Sequence, residues 1–164
     1  MKNENCNPIA AMSISHADTS SPARLIVCER SGPWSAALRG ELAEAGVRLW
    51  ECRTLPEAWD ALARTPAAFV IAEAARENLA DLLRRMAWFS RDFPYARIAV
   101  VAQREMARFE WLLREAGAVH FLTSPRRLTP LAGLVVRHLA NVPLPSQTMM
   151  ERIWASLPWA PLGT

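Results

Sequence analysis

Thiols, imidazoles, hydroxyls and carboxylates are the groups that could do chemistry in this chain, and their spacing excludes several kinds at once. Cys6, Cys28 and Cys52 share no tight spacing, and His16, His120 and His138 stand apart from one another. Zinc needs paired ligands at short intervals, so no metal site is expected. Three cysteines cannot complete a disulfide framework. The turn Glu29-Arg30-Ser31-Gly32-Pro33 has a single Gly, whereas a phosphate-cradling loop needs several so that its backbone can approach the ligand. No nucleophile elbow and no Ser/His/Asp set appears. Carboxylates remain: Glu29 follows the apolar run Leu25–Cys28, and Glu73 follows Phe69–Ala72.

Five short apolar runs punctuate the chain: Arg24–Cys28, Val47–Cys52, Ala68–Ala72, Arg97–Ala102 and Val119–Thr123. The first, third and fourth are nearly continuous, as parallel strands covered on both faces require. Helix signals lie between them. Pro33 sits in a first turn and Gly46 follows as a stop. Thr54-Leu55-Pro56-Glu57 reads as a capping box. Arg76–Ser90 carries Leu79, Leu82, Leu83 and Met86 on one face. Arg104–Ala116 ends at Gly117, and Thr129-Pro130 opens a last helix running to about Ala140. Strict alternation predicts an α/β fold, a flavodoxin-like doubly wound five-stranded parallel sheet of order 2-1-3-4-5 with helices on both faces.

The 164 residues divide into a polar, aperiodic N-terminal tail (1–22), one domain (23–142) and a C-terminal tail (143–164). A hydrophobic content of 51% supplies a sizeable core. No apolar run approaches the roughly 20 residues that span a bilayer. With no signal peptide evident either, a cytoplasmic location is expected. The net charge is +3, and Lys2 is the only Lys. Residues 23–142 hold 17 Arg against 13 acids, short of the clustered patch that marks a nucleic-acid binder. In the C-terminal tail, Met150, Ile153, Trp154 and Leu157 have helical spacing until Pro158 stops it.

The stretch Glu115–Pro125, EAGAVHFLTSP, resembles the fourth-helix end and fifth strand of a bacterial response-regulator receiver domain. The resemblance covers roughly residues 23–142. It implies phosphotransfer from a histidine kinase to an Asp ending the third strand, with acids at the end of the first strand holding Mg²⁺. A Thr or Ser after the fourth strand and a Lys after the fifth then bind the phosphoryl oxygens. This chain departs at each position. Cys28 and Glu29 stand for the paired acids, and a thiol cannot replace an oxygen ligand of a hard ion. The acceptor falls on Ala72 or Glu73, Gln103 takes the Thr/Ser position, and Ser124 stands for the Lys. The resemblance therefore implies a degenerate pseudo-receiver with no cofactor. Two readings of Glu73 stay open: an imitation of a phosphorylated Asp, or a solvated loop residue just past a strand. Ser124-Pro125 is expected to keep the family's cis peptide, and Phe121, at the switching-aromatic position, to pack in the core.

On helix Arg104–Ala116, Met106, Phe109, Leu112, Leu113 and Ala116 share the inward face. Trp111 lies opposite, among Arg104, Arg108 and Arg114, like an interface anchor. Gly133, Val136 and Ala140 face outward on the last helix, with little bulk. The resemblance implies a homodimer through the fourth helix, fifth strand and fifth helix. The expected function is a non-enzymatic signalling module that binds an unidentified signalling protein. The alternatives are an atypical phosphoacceptor response regulator and, behind it, a nucleic-acid-binding regulator.

Overall fold

The computed structural model describes residues 24–142. Both tails, with the helical pattern of Met150–Leu157, lie outside the described residues. Strands β1 (Leu25–Cys28), β2 (Leu49–Cys52), β3 (Phe69–Ala74), β4 (Arg97–Ala102) and β5 (His120–Leu122) form one parallel sheet in the order β2-β1-β3-β4-β5. Helices α1 (Pro33–Glu41), α2 (Leu55–Arg64), α3 (Leu79–Asp92), α4 (Glu110–Glu115) and α5 (Thr129–Asn141) alternate with them. This is the flavodoxin-like topology that the alternation predicts.

Burial explains the strand order. β1 is wholly buried and β3 and β4 nearly so, and they take the centre, while the mixed strands β2 and β5 take the edges. Alternate residues feed two cores. Ile26, Cys28, Val70, Ala72, Ile98 and Val100 pack in the core shared with α2, α3 and α4. Leu25, Val27, Phe69, Ile71, Ala99 and Val101 pack in the core shared with α1 and α5. Thr54 caps α2, its hydroxyl accepting from the Glu57 N–H at 3.4 Å, while Glu57 Oε2 reaches one residue past the capping-box partner to accept from the Arg53 N–H at 2.9 Å.

Several boundaries differ from the sequence expectation. β3 runs on to Ala74, because Glu73 and Ala74 pair with Val101 and Ala102. Helix α3 starts at Leu79 rather than Arg76. The Asn78 amide holds the preceding loop instead, donating to the Glu73 carbonyl and accepting from the Ala75 N–H, each at 2.8 Å. Residues Arg104–Phe109 form a 3₁₀ helix before α4. The Met106 N–H bonds the Gln103 carbonyl at 2.9 Å, a tight turn that seats Met106 in the core. Helix α1 ends at Glu41, and turns carry the chain to Gly46 at φ +63°. No cis peptide occurs among the described residues, so Ser124-Pro125 is trans. The trans form is the favoured one even before Pro, and the turn closes from it, with the Arg127 N–H 3.4 Å from the Ser124 carbonyl.

Candidate functional site

The C-terminal ends of β1, β3 and β4 border a cleft of about 580 Å³, the usual ligand position in an open α/β sheet. Cys28, Glu29, Arg30, Arg53, Glu73 and Gln103 are among its lining residues. Of the six positions predicted from sequence, it therefore gathers four. Ala72 is fully buried in the α2/α3 core and does not reach it. Ser124 lines a separate cleft of about 590 Å³, with Arg104, Phe121 and Arg127.

Glu29 is only 2% exposed, and its carboxylate is spoken for by α1. Oε2 accepts the Trp34 N–H at 2.9 Å, and Oε1 accepts both the N–H and the hydroxyl of Ser35. Gly32 makes this possible: at φ +99° it turns the chain so that the first amides of α1 face back toward β1. Glu29 thus supplies the acceptor that the helix start lacks, as Gly32 offers no side-chain cap. The buried Ser35 and the Gly32 turn are functional parts that sequence reading missed. The signal was present in an acid placed five and six residues before the first helical N–H groups.

Glu73 is half-buried within β3, and its Oε2 accepts the Arg30 N–H at 3.0 Å. That corrects the loop-residue reading: strand pairing with β4 fixes its backbone, and the β1–α1 turn holds its side chain. Cys28 is 4% exposed, and burial, reinforced by Cys52, Glu57, Glu73 and Glu29 nearby, pushes its thiol up to about 12. It therefore stays protonated at neutral pH. Burial raises the Cys52 thiol as well.

Mg²⁺, which the fold would suggest, does not fit these residues. Both Glu29 oxygens already accept protein hydrogen bonds, and Cys28 offers a protonated thiol. Among the described residues no group of three His, Cys, Asp or Glu side chains is placed to hold a metal ion. No Lys stands anywhere in residues 24–142.

The candidate interface residues are exposed as predicted: Trp111 is 66% exposed, Val136 is 40% exposed, and Arg104, Arg108, Gly133 and Ala140 are exposed as well. The arginines are not all free to ring Trp111: the Arg108 guanidinium lies 4.7 Å from the Phe109 ring centroid, and Arg114 pairs with Glu110 at 2.8 Å. Phe121 is buried.

No family model matches the chain, and no curated protein does. Solved structures do. A response regulator from Thermotoga maritima aligns with a TM-score of 0.61 at 20% identity, covering 73% of this chain and 99% of its own. The CheY-like protein TadZ of Pseudomonas aeruginosa aligns at 0.55 and 21% identity, over 70% of this chain and 98% of that one. A putative pilus assembly-related protein of Burkholderia pseudomallei aligns at 0.52 and 17%, over 74% and 94%. The fold is that of a response-regulator receiver domain. These matches take in almost the full length of those chains and under three quarters of this one. Among the described residues, no helix is long and apolar enough to cross a membrane.

Proposed function

We propose that this chain is a receiver-like signalling module that acts by binding other proteins, without phosphotransfer and without a cofactor. The observation that carries this reading is the Glu29 carboxylate. In a working receiver an acid here holds the metal ion; here it holds the first turn of α1. Ser124 in place of a Lys, Gln103 in place of a hydroxyl, and the lack of Asp at the end of β3 support the same reading. Glu73 is the acceptor-position residue, a fixed carboxylate held at the cleft by the Arg30 amide. The alternative, an atypical phosphoacceptor, draws on that same carboxylate. Mg²⁺ titration tests the reading, followed by Trp fluorescence, since the Trp34 amide sits on Glu29. No saturable change is expected; a saturable one contradicts the proposal.

The binding surface we assign is the α4–β5–α5 face, with Trp111 as its aromatic anchor and Val136 beside small Gly133 and Ala140. The receiver resemblance makes a second copy of this chain the first partner to test, with a cytoplasmic setting. Light scattering over a concentration series is expected to show self-association that Trp111→Glu with Val136→Glu weakens by at least about tenfold. An unchanged mass in that variant removes the assignment.

A further inference from the structure

The second cleft, of about 590 Å³, lies where the 3₁₀ helix and the start of α4 meet β5 and the turn after it. Its volume falls within the range of about 300–1,000 Å³ usual for small-molecule sites. Arg104, Ala107 and Glu110 line it from the segment after β4, and Thr123, Ser124 and Arg127 from the segment after β5. Charge decides what such a cleft can hold. Neither Arg104 nor Arg127 makes an ion pair among the described residues. Glu110 is the one carboxylate in the lining, and it is committed to Arg114 at 2.8 Å. Glu105, next in sequence to Arg104, reaches Arg76 at 3.7 Å instead. Two guanidiniums thus border one cleft without an acid to neutralise them, an arrangement that a bound anion relieves. Hydroxyls extend the donor set. Ser124 Oγ accepts the Arg126 N–H at 3.4 Å, which leaves its own hydrogen to donate, and Thr123 adds a second hydroxyl.

We propose that this cleft binds a small phosphate monoester, with Arg104 and Arg127 as its charge partners and Thr123 and Ser124 as further donors. A phosphate monoester carries nearly two negative charges at neutral pH and three acceptor oxygens, which matches two cationic heads and two hydroxyls. A carboxylate brings one charge and two oxygens. Guanidinium also pairs with phosphate bidentately, which fixes orientation as well as charge. Bound there, the ligand bridges the segment after β4 to the segment after β5, which no ion pair joins among the described residues. The site is distinct from the cleft at the ends of β1, β3 and β4, and it stands whether or not a second copy of the chain docks nearby.

Calorimetric titration of the full chain with phenyl phosphate and with inorganic phosphate tests this, paired with hydrogen exchange read by mass spectrometry. Neutral pH and physiological salt are used, where exposed charges are screened beyond about 8 Å. The expected result is saturable one-to-one binding that Arg104→Gln with Arg127→Gln weakens at least about tenfold. Arg48→Gln, at an exposed arginine just before β2, leaves it unchanged. Both substituted arginines of the cleft are exposed, and an unchanged thermal midpoint certifies that the variant is folded. In the unaltered chain the ligand slows exchange in 104–110 and 123–127 together, a readout that needs no variant. Absence of both saturable heat and slowed exchange with either probe overturns the inference. So does binding that survives loss of both arginines, or slowed exchange confined to 29–31 and 73–78, which moves the ligand to the other cleft. Equal binding of phenyl sulfate, a monoanion, also overturns it, as the cleft then takes any anion.

Discussion

Glu29 shows how a carboxylate at a strand end can be given over to structure. A buried carboxylate that accepts three donors is a structural acceptor, and leaving those donors unpaired is costly. Glu29→Ala is expected to lose about 2 to 3 kcal/mol of stability in urea unfolding, with no further change on adding Mg²⁺. A loss below about 0.5 kcal/mol contradicts the capping role. His120 is the opposite case. Its Nε2 is buried with no hydrogen-bond partner among the described residues, and burial lowers its proton affinity. His120→Val removes that orphaned nitrogen and fits an edge strand, so a gain of about 1 kcal/mol is expected; a comparable loss indicates a partner for the ring. At this scale the sequence was only partly legible. The departures at Cys28, Gln103 and Ser124 are read from residue type alone. The occupation of Glu29 and the burial of Ala72 depend on how α1 and β4 approach β1 and β3, which residue types do not state.

Helix α5 carries a pH dependence that belongs to the element rather than to the site. His138 Nε2 lies 3.0 Å from the Ala67 carbonyl, and the ring meets Phe69 edge-on at 5.4 Å, so α5 is pinned to the start of β3. Burial lowers the His138 proton affinity, the bond to Ala67 works against that, and Arg97 lowers it further. The unfolded chain takes up the proton near pH 6.5, while the folded chain resists it until lower pH. The contribution to stability is thus complete above about pH 6.5 and is lost as pH falls through the folded-state value. Thermal unfolding across that range is expected to show an acid limb that flattens in His138→Gln; an unchanged slope removes His138 as its source. Element existence was legible where local chemistry acts alone, as in the Thr54 cap of α2. Boundaries slipped where a side chain from the loop intervened: Asn78 delayed α3, and Met106 drew the chain into a 3₁₀ turn before α4.

For the whole molecule, the nearly continuous apolar runs of β1, β3 and β4 determine the rest. Strands buried on both faces must lie centrally, and the helices between them must cover both sides. That is why the fold could be read from the chain and is matched by receiver structures at about 20% identity. Two surfaces result: a cleft at the strand ends whose acids serve structure, and a helical face whose Trp111 points to solvent. On the proposed reading, signalling belongs to the second and silence to the first. Intact mass of the full-length protein after incubation with acetyl phosphate and Mg²⁺ tests that division most directly. The expected result is an unchanged mass. Gain of one phosphoryl group, abolished in Glu73→Gln, contradicts the account and makes the cleft a working switch.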